Sequence, residues 1–146
     1  MRIVHPELGE IEYGEDHVYG FPEGLLGFEE LTKFVLLELE DLDPLYLLIS
    51  VDDPGVSFPV MSPLGVVVGY TPPLSGADLE PLALNGAEEM ALFVIVTIGP
   101  EGREVTANLR APLCLNVRRR LGRQCVLEDG DYDLHHPLMG APPGVR

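Results

Sequence analysis

Proline and glycine interrupt this chain more often than a helical architecture tolerates. The 146 residues include fourteen prolines and sixteen glycines, and no long amphipathic stripe survives between them. Proline removes a backbone donor and clashes inside a helix, while glycine in a helix costs conformational entropy. The apolar runs left between these breaks have the length of strands. The pattern predicts an all-β domain, a small antiparallel β-barrel or sandwich.

Turn signals divide the chain into predicted hairpins. The sequence PELG at 6–9 predicts the first hairpin, and GPEG at 99–102 joins runs at 90–98 and 103–109. A further hairpin is predicted from 113–118 and 124–127, with its turn at Leu121-Gly122. Two runs, LYLLI and LFVIV, are apolar at every position, which predicts strands covered on both faces.

Helical signals are confined to one or two short turns. Asp78 is predicted to cap a turn that contains Leu79, Leu82 and Ala83, and a second turn is possible at 29–33. The domain is expected to span residues 1–138. The remaining residues, 139–146, are expected to form a loose C-terminal tail.

The stretch FPEGLLGFEE at 21–30 combines large apolar residues with turn formers. Phe21 and Phe28 are expected to anchor a looped segment onto the barrel, after a turn that Pro22 helps to define. Gly24 and Gly27 are expected to supply the positive φ angles that other residues resist. The acidic residues around this loop are the better candidates for contact with a partner.

A second unusual stretch is TANLRAPLCLN at 106–116. Asn108 and Asn116 interrupt apolar strand sequence, and Pro112 lies between them. Proline within strand sequence indicates an edge, a bulge or the start of a strand. A buried asparagine needs hydrogen-bond partners, and these are commonly the backbone groups of a neighbouring turn. The two amides are therefore predicted to pin an irregularity in the backbone.

Charge is unevenly distributed along the chain. The formal net charge is −15, and residues 1–53 carry fourteen acids against Arg2 and Lys33. Such acidity disfavours direct binding of nucleic acid and favours a basic protein partner, although solubility alone is an equal interpretation. The run of arginines at 118–120 is interpreted as an intramolecular element that holds the acidic half.

Residues suited to catalysis or to metal binding occur without a recognisable pattern. Cys114 and Cys125 could meet across a hairpin, but no other residues have metal-site spacing, and adjacent His135 and His136 would point to opposite faces of a strand. No catalytic, metal or cofactor site is predicted. The chain has neither a membrane-length apolar run nor the apolar core of a signal peptide, so it is expected to be a cytoplasmic protein with reduced thiols and no membrane partner.

Three segments together resemble one protein family. FPEGLLGFEELTKFVLL at 21–37, TANLRAPLCLN at 106–116 and GRQCVLEDGDYDLHHPL at 122–138 resemble the flagellar assembly factor FliW in order and spacing. The resemblance implies a small β-barrel-like, non-enzymatic adaptor. It implies two partners: the translational repressor CsrA, which is thereby kept from silencing flagellin mRNA, and flagellin, which displaces CsrA.

Charge and resemblance together give a hypothesis for the partner-binding surface. Six acids of the N-terminal half are expected to face CsrA: Glu38, Glu40, Asp41, Asp43, Asp52 and Asp53. Three alternatives remain at this stage. A small-ligand-binding β-barrel would need an apolar interior cavity, and a hydrolase would need a nucleophile within hydrogen-bond reach of a base. The third is an acidic protein-interaction adaptor of another kind.

Overall fold

The computed structural model describes residues 1–128 and 131–138. Over this part of the chain the strands are Arg2–His5 (β1), Gly9–Glu12 (β2), Val18–Gly20 (β3), Lys33–Glu38 (β4), Tyr46–Ser50 (β5), Ser57–Met61 (β6), Met90–Thr97 (β7), Thr106–Ala107 (β8), Leu113–Asn116 (β9), Leu121–Gln124 (β10) and His136–Pro137 (β11). One α-helical turn, α1, spans Gly76–Leu79. Short 3-10 turns occupy Glu15–His17, Glu40–Leu42, Pro63–Gly65, Glu80–Leu82, Ala87–Glu89 and Pro100–Gly102.

Seven of these strands close into a barrel. The order around it is β3, β4, β5, β6, β7, β9 and β10, and β10 returns to β3 in parallel register at Leu121 and Gly20. The other neighbours in the ring are antiparallel. Strand β7 pairs with β9 near its start and with β8 near its end, and β11 adds to β8. The predicted all-β barrel is confirmed.

Alternating side chains of the barrel strands fill its interior. On β4, Phe34 lies in the interior cluster while the neighbouring Val35 packs on the outside. The interior cluster also takes buried residues from β3, β5, β6 and β9 and from the loop after β3: Tyr19, Phe21, Leu25, Leu48, Val60, Leu113 and Leu115. This alternation is what a half-buried strand requires, because successive side chains point to opposite faces.

The outer faces of the apolar strands are also covered. Ile3, from the β1–β2 hairpin, packs against Val35 and Ile49 on the outside of β4 and β5. On the outside of β7, Val94 packs in a cluster with buried residues of the chain segments that flank the strand: Val66, Tyr70, Ala107 and Leu109. The prediction that LYLLI and LFVIV are covered on both faces is therefore confirmed in part, because Tyr46, Phe93 and Ile95 remain partly exposed on the other face.

The two asparagines of the second stretch bind backbone groups of turns. Asn108 Oδ1 accepts the amides of Arg110 and Ala111 at 3.1 and 3.0 Å. Asn116 Oδ1 accepts the amides of Arg118 and Arg119 at 3.0 and 3.1 Å. Its Nδ2 also donates to the Leu82 carbonyl at 2.8 Å. Both amides therefore pin turns as predicted, and Pro112 directly precedes β9, one of its three expected positions.

The predicted turn at Leu121-Gly122 is wrong. The β9–β10 turn lies at residues 117–120, and both Leu121 and Gly122 belong to β10. Asn116 holds the start of the turn, and Arg120 closes it with a φ of +53°, a conformation usually left to glycine. Gly122 serves packing: a Cβ there would lie 2.4 Å from the Phe21 ring and 2.8 Å from Leu115.

The helical turns also differ from the prediction in detail. Ser75 caps α1, because its hydroxyl accepts the amide of Asp78 while the Asp78 carboxylate accepts the amide of Ser75. The cap was predicted at Asp78 itself. Residues 29–33 form no helical turn, since Lys33 already begins β4. The predicted tail at 139–146 lies outside the described residues. None of the described helices is long and apolar enough to cross a membrane.

The FPEGLLGFEE segment folds into a hydrogen-bonded loop. Phe21 is fully buried and meets Phe34 edge to face at 5.4 Å. The Gly24 amide donates to the Phe21 carbonyl at 2.8 Å, and Phe28 donates to Leu25 at 2.7 Å. Gly24 and Gly27 have φ angles of +65° and +83°, as predicted. At Gly24 a Cβ would also lie 2.5 Å from the Phe28 carbonyl oxygen, whereas at Gly27 it would meet open space.

The contact between Gly122 and Phe21 gives a first prediction. Gly122→Ala should lower the free energy of unfolding by about 1–3 kcal/mol, because the added methyl overpacks a filled interior. The matched control is Gly76→Ala, where a Cβ meets nothing within 4 Å. Urea denaturation of both variants measures the difference. Equal stability of the two variants would contradict tight packing at Gly122.

The loop glycines give a second prediction. Gly27→Ala should cost about 1–2 kcal/mol of stability, because only the left-handed backbone is strained. Gly24→Ala should cost clearly more, since the new methyl also collides with backbone that cannot move aside cheaply. Thermal and urea denaturation of the pair measures the ranking. A reversed ranking would show that the loop rearranges around Gly24.

Candidate protein interaction surface

The loop at 21–31 presents apolar side chains to solvent on a fixed backbone. Leu26 is 56% exposed and Phe28 is 37% exposed, while Phe21 and Leu25 of the same loop are buried. The Leu26 amide donates to Gln124 Oε1 at 2.9 Å, and the Gly27 amide donates to Glu29 Oε2 at 3.0 Å. The loop is therefore anchored from inside and from β10. Phe28 is only partly used in packing, in contrast to the expectation that both phenylalanines serve as anchors.

A set of partly exposed apolar side chains continues from Phe28 across the strands. The Phe28 ring meets Phe58 of β6 edge to face at 5.4 Å, and Tyr46 of β5 meets Phe93 of β7 at 5.1 Å. We call the whole set the aromatic strip: Phe28, Leu36, Tyr46, Phe58, Phe93 and Ile95. Except for Phe28, these residues pack against the interior cluster while remaining partly exposed. In the sheet, Leu48 lies between its register partners Leu36 and Phe58. Val60 lies in the same way between Tyr46 and Ile95.

Acidic side chains border this strip at the loop. A groove of about 310 Å³ is lined by residues 27–31 together with Asp53 and Val56 of the β5–β6 turn. Glu29, Glu30, Asp52 and Asp53 are all exposed there. We call these four acids the loop acids. The β5–β6 turn that carries two of them is well ordered by hydrogen bonds, since the Asp53 amide donates to Ser50 Oγ at 3.0 Å.

The six acids predicted from the sequence do not form one cluster. Asp52 and Asp53 follow the end of β5, whereas the other four acids lie near its start. Glu38 ends β4, and Glu40, Asp41 and Asp43 lie in the β4–β5 connection. A five-residue strand separates the two groups by roughly 15 Å. We call the second group the far acids. Glu29 and Glu30 were not among the six, although the acidic pair that closes FPEGLLGFEE is visible in the sequence.

The arginines do not hold the acidic half in the way predicted for residues 118–120. Arg118 pairs with Glu89, which lies outside residues 1–53, at 3.5 Å. Within the part of the chain that the structure describes, Arg119 and Arg120 form no ion pair. Arg123, outside the run, does reach the acidic half through Glu23 at 3.2 Å. Neighbouring side chains in a tight turn can face different surroundings, so adjacency in the sequence does not predict a shared partner.

One serine and one histidine lie within hydrogen-bond distance. His5 Nε2 is 3.1 Å from Ser57 Oγ, and the His5 ring is buried. Its Nδ1 accepts the amides of Glu7 and Leu8, both at 3.1 Å. The neutral ring therefore carries its hydrogen on Nε2, which donates to the serine. A histidine in this tautomer has no free nitrogen to take the serine proton, so the pair pins the β1–β2 turn.

The two thiols meet in a buried cluster beside β9 and β10. Cys114 and Cys125 are both buried, together with Leu82. A hydrogen bond with the Cys125 thiol, together with burial, raises the pKa of Cys114. No group of three or more His, Cys, Asp or Glu side chains in the described residues could hold a metal ion. His135 is exposed and His136 pairs with Ala107, away from this cluster.

The centre of the barrel is filled by side chains. Phe21, Phe34, Leu48, Leu113 and Leu115 are at most 1% exposed and pack as one cluster. A barrel that binds a small ligand inside needs space at this position. The interior therefore acts as a core, and recognition must take place at the surface.

The comparisons with known proteins agree with the fold. The model of the FliW protein family matches residues 2–138. A flagellar assembly factor FliW from Thermotoga neapolitana is 40% identical over 137 residues, covering 93% of this chain and 92% of that protein. The flagellar assembly factor FliW of Clostridium beijerinckii is 34% identical over 140 residues, covering 96% of this chain and 99% of that protein.

A solved structure is similar over nearly the same length. A crystal structure of the flagellar assembly factor FliW superposes with a TM-score of 0.86 at 36% sequence identity, covering 94% of this chain and 96% of that one. Sequence and fold thus agree along almost the whole chain. This chain belongs to the FliW family of flagellar assembly factors.

Proposed function

We propose that this protein is a non-enzymatic adaptor of flagellar assembly that binds CsrA and flagellin in alternation in the cytoplasm. Binding of CsrA frees flagellin mRNA for translation, and unassembled flagellin displaces CsrA and so restores repression. The family resemblance supplies the two partners. The observation that carries the proposal is the aromatic strip, an apolar surface that remains partly exposed and has acids at its border.

The aromatic strip has the composition of an interface centre. Aromatic side chains bury large areas at low entropic cost, and a few such anchors usually provide most of the affinity. Phe28 is held by the loop backbone and by Phe58, so little freedom is lost when a partner covers it. A partner segment with an apolar face would therefore dissociate slowly from this strip.

The loop acids suit a basic partner. Glu29, Glu30 and Asp53 line the groove beside the anchoring residue Phe28, and the exposed Asp52 directly precedes Asp53. Negative charge is thereby placed where a partner would first approach. Charges at the rim of an interface act mainly on the association rate, because they steer the encounter. CsrA is an RNA-binding protein and is expected to present a basic surface, so electrostatic attraction should speed its binding.

Flagellin is expected to depend more on the apolar anchors than on the acids. Flagellin offers amphipathic helices, whose apolar faces fit an apolar groove through residues at helical spacing. If CsrA and flagellin both cover the aromatic strip, their binding is mutually exclusive. The direct test adds purified flagellin to a preformed complex of this protein with CsrA and measures the release of CsrA. A stable ternary complex would contradict alternation.

The acids give a third prediction. Neutralising the four loop acids to Gln or Asn should slow CsrA association by roughly tenfold at low salt, with a much smaller effect at high salt where charges are screened. Neutralising the four far acids should have a smaller effect, because they are distant from Phe28. Stopped-flow or surface plasmon resonance at several ionic strengths measures the rates.

A matched control for that prediction removes the same charge elsewhere. Glu80, Glu88, Glu101 and Glu104 are exposed and lie outside both groups. Their neutralisation changes the net charge by the same amount as either test variant. An equal slowing in the control would show that only net charge matters. It would also contradict the assignment of the loop acids to the surface that faces CsrA.

The aromatic strip gives a fourth prediction. Phe28→Ala should raise the dissociation rates of both CsrA and flagellin by roughly tenfold or more, because an interface anchor is lost. The domain should lose only about 0.5–1.5 kcal/mol of stability from the broken ring pair with Phe58. The control is Leu64→Ala, a 71% exposed side chain away from the strip. Unchanged dissociation rates for Phe28→Ala would place the interface elsewhere.

A further inference from the structure

A second cavity lies on the outside of the barrel, between the β1–β2 hairpin and the β9–β10 turn. It has a volume of about 410 Å³, within the size range of small-ligand sites. Its walls combine apolar and cationic side chains: Tyr13, Val18, Lys33, Val51, Arg119 and Arg120. One carboxylate, Glu15, also lines it. The proposed function makes no use of this cavity.

The cations of this cavity differ from the other described cations in having no partner. Ion pairs to carboxylates occupy Arg2, Arg103, Arg118 and Arg123. The Arg110 guanidinium donates to the Leu127 carbonyl at 3.2 Å. In the described ranges, 1–128 and 131–138, Lys33, Arg119 and Arg120 make neither an ion pair nor a side-chain hydrogen bond. Three unpaired cations in one cavity are unexpected in a chain with 24 acids and 9 bases.

The backbone holds these cations in place. Asn116 Oδ1 fixes the amide of Arg119, and the Arg120 carbonyl accepts the Gly20 amide at 2.9 Å. Lys33 is the first residue of β4, and its carbonyl accepts the Val51 amide at 3.0 Å. The three side chains thus start from hydrogen-bonded backbone, two from the β9–β10 turn and one from the start of β4. Arg120 also keeps a left-handed backbone, which an arginine adopts only at some energetic cost.

We propose that this cavity is a binding site for a small ligand with a single phosphate group. Arg119 and Arg120 would donate charge-assisted hydrogen bonds to the phosphate oxygens, with the Lys33 ammonium as a third positive charge. Three cations against the Glu15 carboxylate leave a local excess that matches the dianion of a phosphate monoester. The organic part of the ligand would lie against Tyr13, Val18 and Val51.

The surroundings restrict the ligand to a small molecule. The cavity already contains one carboxylate, that of Glu15, and three cations. The local excess of two positive charges balances one phosphate dianion, so a second phosphate group would remain without a partner charge. The net charge of −15 adds long-range repulsion against any polyanion. A nucleic acid or an anionic membrane is therefore disfavoured, whereas one phosphate can be neutralised locally.

The experiment is calorimetric titration of the full chain in a buffer free of phosphate and sulfate. The probes are inorganic phosphate, adenosine monophosphate and a short single-stranded RNA. Both small probes should bind at one site, and the nucleotide should bind more tightly because its base can contact Tyr13 and the valines. The test variant is Arg119→Gln/Arg120→Gly. It should weaken the binding of both small probes by about tenfold or more, since two charge-assisted hydrogen bonds are lost.

Two controls separate loss of binding from loss of structure or of net charge. Glycine at position 120 relieves the left-handed backbone, so the test variant should melt at or above the temperature of the wild type. Arg103→Gln/Arg118→Gln removes the same charge from paired arginines, and it should leave the affinity for phosphate within about twofold.

Three results would overturn the proposal. The first is an absence of phosphate and nucleotide binding at millimolar concentrations. The second is equal weakening in the test variant and in the paired-arginine control. The third is tighter binding of the RNA than of the nucleotide. None of these results tests the binding of CsrA or flagellin, so the phosphate site and the proposed adaptor function are tested independently.

Discussion

The packing of Phe21 over Gly122 is the contact on which the closed barrel depends. Strands β3 and β10 are joined in register only at Gly20 and Leu121, so backbone pairing alone gives this seam little support. Directly beside it, the Phe21 ring occupies the space that a side chain at position 122 would need. The same ring packs edge to face on Phe34 of β4. One buried aromatic therefore ties the parallel seam to the antiparallel strands that complete the ring.

The anchoring of Phe21 also decides what the following loop can present. Because Phe21 and Leu25 are buried, the tight turns at Gly24 and Gly27 leave Leu26 and Phe28 facing outward. The barrel interior is filled, so the proposed partner recognition is assigned to the surface that begins at this loop. The proposed adaptor role needs a fast encounter with its partner and a slow release. Exposed acids beside the loop would speed the encounter, and aromatic side chains buried in the interface would slow the release.

Local charge differs from net charge in this protein. Four of the seven described arginines form ion pairs with carboxylates. The loop acids and the far acids lie near opposite ends of β5. The cavity beside the β9–β10 turn nevertheless gathers three cations without partners. At physiological salt, exposed charges more than about 8 Å apart are largely screened from one another. An acidic partner-binding border and a phosphate site can therefore coexist on one small domain.

Four features could be predicted from the sequence: the fold class, the family, the positive φ angles of Gly24 and Gly27, and the binding of turns by Asn108 and Asn116. Each of these follows from local chemistry: chain breakers, backbone-seeking amides and motif spacing. The position of Gly122 inside a strand could be explained only from the tertiary structure. The Phe21 ring fills the space beside Gly122, and Phe21 lies about a hundred positions away in the sequence. The tertiary structure also separates the six predicted acids and, among the described residues, leaves Arg119 and Arg120 without an ion pair. Proximity between distant segments depends on barrel closure and register, and a sequence pattern with a period of two or four residues carries no record of either.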